Sequence, residues 1–332
     1  MRIPNHISPS QISLWERDRE GYFLQHLAET RSPRMVQTQA MSIGSAFDAY
    51  VKAEMYATIF GPGSNPEFEL DAIFETQVSK ENWDWGRENG QYMFDCYKEC
   101  GAYGDLMGLL AGCQHKPQFE FTVAGDIEGV PLLGKPDMRF VHKNGAHIIL
   151  DWKVSGYCSK YGASPAKNYQ LIRDCWFGDP KPSRTNGQAH KGYEEIMWHG
   201  LPINENPLED ANSTWAAQLA IYGWLLGEPV GSEDVIVCID QIVAKPTNGY
   251  PLLRVANQRS RISPKFQHDL MHKITNCWQA IQEDYIFDDV PKEESQARCE
   301  ILERRAEAMA CKDVGLPAIH EYMEAQSKIY KF

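Results

Sequence analysis

Two aspartates and a lysine border two short hydrophobic runs near the middle of the chain. Asp137 precedes residues 138–141, and Asp151-Trp152-Lys153 follows residues 147–150. Apolar runs separated by an Asn-Gly sequence predict the two strands of a β-hairpin. Because strand side chains alternate between faces, Asp151 and Lys153 share one face and Trp152 points to the other. Carboxylates are ligands that Mg²⁺ prefers, so a divalent cation site is the chemistry that such strand ends support.

The turn of the hairpin decides whether Asp137 joins this face. A two-residue Asn-Gly turn sets Asp137 opposite Trp152 and sends the two aspartates to opposite faces. A three-residue loop over residues 143–145 sets Asp137 opposite Asp151, with Gly145 at the loop position that requires a left-handed conformation. We predict the second register, because facing carboxylates repel each other unless a cation lies between them.

Helices and further strands surround the hairpin in the sequence pattern. Ser8 as N-cap and Pro9 at the first helical position predict a helix that continues to about His26. A second helix is predicted from near Ser42 until Gly61, and residues 67–113 indicate further helix. The remaining pattern predicts a strand meander over 119–123, 130–134, 138–141 and 147–151, a helix over 214–226, a strand over 235–243, and helices from about 264 to the end.

These elements indicate an α/β fold in which a central mixed β-sheet is flanked by helices. Residues 1–115 form an N-terminal helical region that contributes to the site. Residues 116–245 form the core, with an insertion at about 155–212 that contains some local helix. Residues 246–332 form a C-terminal, mainly helical region packed on the core. We expect one enlarged domain without a second independent one.

Composition limits the classes of function. The 332 residues are 43% hydrophobic and 23% charged, which is typical of a globular protein. With 33 Lys+Arg against 45 Asp+Glu, the net charge of -12 excludes coating of nucleic acid by bulk charge and leaves a local basic groove possible.

The 9 cysteines are irregularly spaced and odd in number, which favours a reduced, cytoplasmic protein, in the host cell if the chain is phage-encoded. The sequence has no apolar stretch long enough to span a bilayer, so we expect no membrane partner.

The ordered motifs resemble a known nuclease superfamily. Pro136-Asp137 with Asp151-x-Lys153 is similar to the PD-(D/E)xK nucleases. Its RecB-type exonuclease branch shares further features, in the same order across residues 8–222: Ser8-x-Ser10 with Trp15, Arg19 and Tyr22; Gly44-x-x-Phe47-Asp48; and the Gln-x-x-x-Tyr motif, here Gln218-Leu219-Ala220-Ile221-Tyr222. A second Asp-x-Lys, residues 179–181, lies in a Pro/Gly-rich loop, and we interpret it as background.

The resemblance implies a central sheet of the restriction-endonuclease-like type and Mg²⁺ or Mn²⁺ as the cofactor. The implied oxygen ligands are the carboxylates of Asp137 and Asp151 and the backbone carbonyl of Trp152. Asp48 stands where this branch usually has a metal-binding histidine; it is either a ligand or a partly exposed aspartate of the helix surface. Glu120, on the strand before Asp137, either reaches the site or packs beside it.

The catalytic set implied by the resemblance is Asp137, Asp151, Lys153, Gln218 and Tyr222. With an ordinary pKa near 10.4, Lys153 is expected to be protonated, so it would orient water and stabilise charge. Gln218 and Tyr222 lie one helical turn apart and share a helix face. They are expected to position the substrate phosphate or the lysine; otherwise they are a surface glutamine and a buried tyrosine.

The resemblance predicts a metal-dependent DNA nuclease, and specifically an exonuclease that acts at DNA ends in recombination, repair or phage and mobile-element DNA processing. Single- or double-stranded DNA ends are the expected partner, and a recombination or single-strand-binding protein is a compatible one. Predicted substrate contacts are Arg17, Arg19, Tyr22 and Lys191, although solvated charges and a core aromatic would show the same pattern. The alternatives are a catalytically weak nucleic-acid-binding or assembly protein with a nuclease-like fold, and an unrelated metal hydrolase with small substrates.

The cysteines suggest no further cofactor. Cys96-x3-Cys100 with Cys113-x-His115 offers zinc ligands, but the spacing is not a standard zinc pattern, so we expect no structural zinc. Some RecB-type relatives carry an iron–sulfur cluster on one early cysteine and three grouped near the C-terminus. This chain has no such early cysteine and its late ones are dispersed, so we expect no cluster; they are Cys277, Cys299 and Cys311.

Overall fold

The computed structural model describes residues 1–30, 37–175 and 186–310, and the chain divides into two compact units. The first unit comprises the described residues of Met1–Met35, Val123–Gly134 and Gln267–Phe332, and the second those of Val36–Thr122 and Lys135–Phe266. Across these described ranges, no helix is long and apolar enough to cross a membrane. The second Asp-x-Lys at residues 179–181 and Cys311 lie outside the described residues.

Strands and helices are numbered here along the whole described chain. The strands are β1 Gln118–Phe119, β2 Val123–Ile127, β3 Val130–Gly134, β4 Met138–Val141, β5 His147–Ser155, β6 Leu171–Asp174, β7 Glu195–Trp198, β8 Leu201–Asn204, β9 Val235–Lys245 and β10 Leu252–Ser260. The α-helices are α1 Pro9–Arg17, α2 Arg19–Tyr22, α3 Gln39–Phe60, α4 Leu70–Gln77, α5 Trp83–Glu99, α6 Ala102–Leu110, α7 Leu208–Ala211, α8 Ser213–Leu225, α9 Pro264–Gln282 and α10 Lys292–Ala310.

A mixed six-stranded sheet with the order β1-β4-β5-β9-β10-β6 forms the centre of the second unit. β5 and β9 are parallel, and the other neighbours are antiparallel. Parallel neighbours need a crossover connection, and α8 lies within the one that joins β5 to β9. The central position of β5 follows from its buried Ile148, Ile149 and Leu150, since each fully buried aliphatic side chain contributes about 1.5–3 kcal/mol. The predicted α/β class with a central mixed sheet is confirmed.

The hairpin of β4 and β5 has the register predicted from its turn. Met138 pairs with Leu150 and Val141 with His147, so Asp137, immediately before β4, stands opposite Asp151. The Gly145 amide donates to the carbonyl of His142 at 2.8 Å, and Gly145 has a φ of +88°. That left-handed conformation is readily available only to glycine, so Gly145 fixes which residues of the hairpin face each other.

Helix α3 is held against the rest of the second unit along a buried face that includes Phe47, Val51 and Met55. It begins after Thr38, whose hydroxyl accepts a hydrogen bond from the Met41 amide at 3.3 Å. Helix α5 approaches it closely at Gly90, where a Cβ atom would lie 2.9 Å from the carbonyl oxygen of Ala46. Residues on α3 therefore have little freedom to shift along the helix axis.

The first unit combines α1, α2, most of α9, α10 and the hairpin of β2 and β3. Ile7 bridges to Leu132 of β3, and both side chains are buried. The prediction of one helix from Ser8 to about His26 is wrong, because the helix is interrupted at Asp18. The Asp18 carboxylate accepts a hydrogen bond from the Gly21 amide at 2.8 Å and starts a new helix there.

Three other sequence predictions need correction. The meander is not continuous, because β2 and β3 form a separate two-stranded sheet in the first unit. The insertion contains the predicted local helix in α7, but its strands β6, β7 and β8 were not predicted. β10 was not predicted, because buried polar side chains such as Asn257 and Gln258 conceal its apolar alternation.

Candidate active site

The candidate site lies entirely within the second unit, where β5 carries Asp151 and Lys153 on one face of the sheet. The Lys153 ammonium forms an ion pair with Asp151 Oδ2 and donates to Gln218 Oε1 at 2.9 Å. The Gln218 amide in turn donates to the Tyr222 hydroxyl at 2.9 Å and to Asp151 Oδ1 at 3.4 Å. Since Gln218 and Tyr222 are both on α8, the crossover helix brings its polar face to this strand.

Asp137 joins the site from the end of the neighbouring strand. Its Oδ2 atom accepts a hydrogen bond from the backbone amide of Trp152 at 3.2 Å. The Trp152 side chain lies on the opposite face, is 4% exposed and packs in the main hydrophobic core. Burial of this indole fixes the backbone of β5 and with it the directions of the Asp151 and Lys153 side chains.

A lysine absent from the sequence prediction completes the cluster. The Lys52 ammonium on α3 is fully buried and lies 3.2 Å from Asp48 Oδ2, 2.6 Å from Glu120 Oε1 and 2.9 Å from Asp137 Oδ1. Its Nζ atom is also 5.9 Å from the ring centroid of Trp152. An ammonium has three donors, and each is matched here by one carboxylate.

Glu120 is fixed by side-chain and backbone contacts. Its second oxygen accepts from the Gln77 amide at 2.7 Å and from the Lys135 ammonium at 3.1 Å, while its own amide donates to the carbonyl of Asp137 at 3.1 Å. Its φ is +44°, a left-handed conformation that costs about 1–2 kcal/mol for a residue other than glycine. These contacts offset the strain and hold the carboxylate against Lys52.

Burial and neighbouring charges together shift the pKa values of the acids of the site. Burial, reinforced by the neighbouring Asp137, raises the pKa of Asp151 well above its usual range. Burial would also raise the pKa of Asp137, but the Lys52 ammonium, the hydrogen bond with Asp151 and Lys153 together lower it to about 2. Burial raises the pKa of Asp48 to about 7 despite the opposing charge of Lys52.

Both lysines of the site are cations at neutral pH. Burial disfavours the charged form of Lys52, but Asp137, Asp48 and Glu120 outweigh it and raise its pKa well above its usual value. Burial acts in the same sense on Lys153, and the adjacent Asp151 outweighs it and raises its pKa as well. Lys153 is therefore an electrostatic group in this geometry, since a general base must give up its proton first.

The carboxylates of the site include oxygen donors of the kind that bind a divalent cation. Four carboxylates lie beside the ammoniums of Lys52 and Lys153, and Glu120 also pairs with the exposed Lys135. Facing oxygens of Asp137 and Asp151, beside the backbone of Trp152, are the hard donors that Mg²⁺ or Mn²⁺ prefers. Within the described ranges, no group of three or more His, Cys, Asp or Glu side chains is arranged to hold a metal ion. The facing carboxylates of Asp137 and Asp151 are the donors that would take such a cation, while the carboxylates of Asp48 and Glu120 already surround an ammonium.

The structure brings together most of the residues singled out in the sequence. The clustered residues are Asp48, Glu120, Asp137, Asp151, Trp152, Lys153, Gln218 and Tyr222.

The predicted substrate contacts are placed differently. In the first unit, Arg17 is exposed, Arg19 bonds to Asp288, and Tyr22 is buried against Trp15. Lys191 lies exposed between β6 and β7 of the second unit.

Lys52 is the site residue that the sequence interpretation missed. The available signal was its position four residues after Asp48, which places both side chains on one side of α3. A lysine among Val51, Ala53 and Met55 also interrupts an otherwise apolar stretch. Neither signal identifies Glu120 and Asp137 as partners, because those contacts arise only when α3 packs on the sheet.

No protein-family model matches this chain, and no curated protein matches it either.

Proposed function

We propose that the protein is a Mg²⁺- or Mn²⁺-dependent deoxyribonuclease that hydrolyses phosphodiester bonds at DNA ends. The observation that supports it best is the convergence of Asp137, Asp151 and Lys153 on one side of the β4–β5 hairpin. The central sheet is proposed to be of the restriction-endonuclease-like type, since its motifs stand in the order found in that superfamily. We also propose a cytoplasmic location and a role in recombination, repair or phage DNA processing.

In this proposal the side chains have distinct roles. Asp137, Asp151 and the Trp152 carbonyl would hold the cation, which would lower the pKa of water and neutralise charge on the phosphate. Lys153 would stabilise the negative charge that builds on the phosphate oxygens and orient the attacking water. Gln218 would position Lys153, because its Oε1 accepts from the ammonium while its amide is held by Tyr222. Hydrolysis then replaces one phosphorus–oxygen ester bond with a bond to the water oxygen, and the leaving oxygen takes up a proton.

The assay compares labelled linear and circular DNA, single- and double-stranded, with Mg²⁺ or Mn²⁺ and with chelator. We expect linear DNA to be degraded, circular DNA to survive, and chelator or Asp151→Asn to stop the reaction. Lys143→Met is the control, because Lys143 is an exposed residue of the same hairpin. The proposal fails if neither DNA nor RNA is cut, or if Asp151→Asn cuts as well as the parent.

One observation favours a second candidate, a nucleic-acid-binding or assembly protein with little catalytic activity. Lys52 neutralises part of the carboxylate cluster without any metal. A protein of this kind would bind DNA in gel-shift experiments and leave it intact at every Mg²⁺ or Mn²⁺ concentration, and Asp151→Asn would not weaken the binding.

A further inference from the structure

The Lys52 ammonium divides the site into two halves that share Asp137. Oδ1 of Asp137 accepts from Lys52 at 2.9 Å, while Oδ2 accepts from the Trp152 amide beside Asp151 at 3.2 Å. In nucleases with two metal ions, the ions lie about 3.5–4 Å apart and stabilise the attacking and leaving oxygens. A carboxylate shared between two cation positions is thus already present here, but one of those positions holds a side-chain nitrogen.

We propose that Lys52 takes the place of a second divalent cation, so that the site holds one metal ion beside Asp137 and Asp151 and a permanent ammonium among Asp48, Glu120 and Asp137. This inference rests on the proposed nuclease function for the identity of the first ion. It adds that the nuclease works with one metal ion, and that Asp48 binds the ammonium and is not a metal ligand.

The surroundings of Lys52 make this ammonium a fixed part of the site. The side chain is fully buried, so no solvent-exposed position is available to it without movement of its neighbours. Glu120 is held in turn by Gln77 at 2.7 Å and Lys135 at 3.1 Å. Withdrawal of Lys52 would leave three carboxylates, each only 14–20% exposed, facing one another, which is unfavourable without another cation.

The hydrogen bonds of Lys52 give the same result. Its ammonium lies within 3.2 Å of an oxygen of each of Asp48, Glu120 and Asp137, and Glu120 is also paired with Lys135 at 3.1 Å. A second divalent cation among these carboxylates would have to displace the hydrogen bonds of Lys52. Removal of the lysine charge should therefore open a metal position that the parent protein does not have.

The test counts Mn²⁺ ions bound per chain, by electron paramagnetic resonance of free Mn²⁺ and by calorimetry. We expect the parent chain to bind one ion and Lys52→Met to bind two, with the spectrum of a magnetically coupled pair. Lys135→Met is the matched control, because Lys135 also contacts Glu120 but is 51% exposed; it should bind one ion. A coupled pair of ions in the parent chain would overturn the inference, and so would a single ion in folded Lys52→Met.

Asp48→Asn tests the same inference without relying on a folded Lys52 variant. If Asp48 serves only the ammonium, Asp48→Asn still binds one Mn²⁺ ion, whereas Asp151→Asn loses affinity by about tenfold or more. Loss of Mn²⁺ binding in Asp48→Asn would overturn the inference.

DNA cleavage is measured on the same samples to separate the two proposals. A parent chain that cuts DNA with two coupled ions refutes this inference alone. One that binds a single ion and cuts nothing refutes the nuclease function alone.

Discussion

Lys52 and Lys153 are the two lysines of one site, yet they differ in burial and in the number of their ion pairs. Lys52 is fully buried, comes from a helix and contacts three carboxylates. Lys153 comes from a strand, is 24% exposed, and contacts one carboxylate and one amide. A buried ammonium whose three donors all have carboxylate partners stabilises the folded structure. A partly exposed ammonium with a single ion pair can still bind a ligand. Under the proposed function, Lys52 supports the structure of the site and Lys153 takes part in the chemistry.

The largest effect expected from this comparison is on stability. Lys52→Met leaves three carboxylates, each 14–20% exposed, without their buried ammonium, and removal of one partner from a buried ion pair costs about 3–5 kcal/mol. We therefore expect the free energy of unfolding, measured by urea titration in chelator, to fall by about that amount. Mn²⁺ should restore much of the loss. A Lys52→Met protein as stable as the parent would show that the two lysines do not differ in this way.

Lys153→Met should produce the opposite pattern. Loss of one preorganised charge-stabilising group slows catalysis by about 10²–10³-fold. The free energy of unfolding should change less than in Lys52→Met, since Lys153 is partly exposed and has fewer ion pairs. Single-turnover cleavage and urea titration on the same preparations provide the measurement, with Lys143→Met as the control. A variant with full activity would remove Lys153 from the chemistry.

Gln218→Ala tests whether the chemistry of Lys153 depends on its orientation. The amide oxygen accepts from Lys153 at 2.9 Å, and a hydrogen bond to a charged group is worth about 1.5 kcal/mol or more, so the cleavage rate should fall by about tenfold. Mn²⁺ affinity should be retained, because Gln218 is not among the proposed ligands. A fall in Mn²⁺ affinity that matched the fall in rate would instead indicate a role in metal binding.

The smallest effect is expected for Lys135→Met. This lysine also contacts a carboxylate of the site, Glu120, but it is 51% exposed. Exposed ion pairs are worth about 0–1 kcal/mol, so both the free energy of unfolding and the cleavage rate should stay close to those of the parent. A loss comparable with that of Lys52→Met would mean that burial does not separate these lysines.

Local patterns predicted the hairpin of the site well and its surroundings less well. Alternation along β5 and the glycine of the three-residue loop were enough to place Asp137 opposite Asp151. The Gln-x-x-x-Tyr spacing placed two side chains on one face of α8. Gln218 contacts Lys153 and Asp151 directly, and Tyr222 is linked to them through its hydrogen bond with Gln218. The break at Asp18 and the strand β10 escaped prediction, because a side-chain cap and the burial of polar residues overrode the hydrophobic period.

The sequence by itself determined which residues of β5 share a face and which register the hairpin takes, because both depend on residues adjacent along the chain. Only the tertiary structure decided that Lys52 meets Glu120, 68 residues away, and Asp137, 85 residues away. That meeting requires α3 to pack against α5 and the sheet, and packing of this kind depends on the shapes of many side chains together. Periodicity along the chain contains no information about which carboxylates a buried lysine will contact.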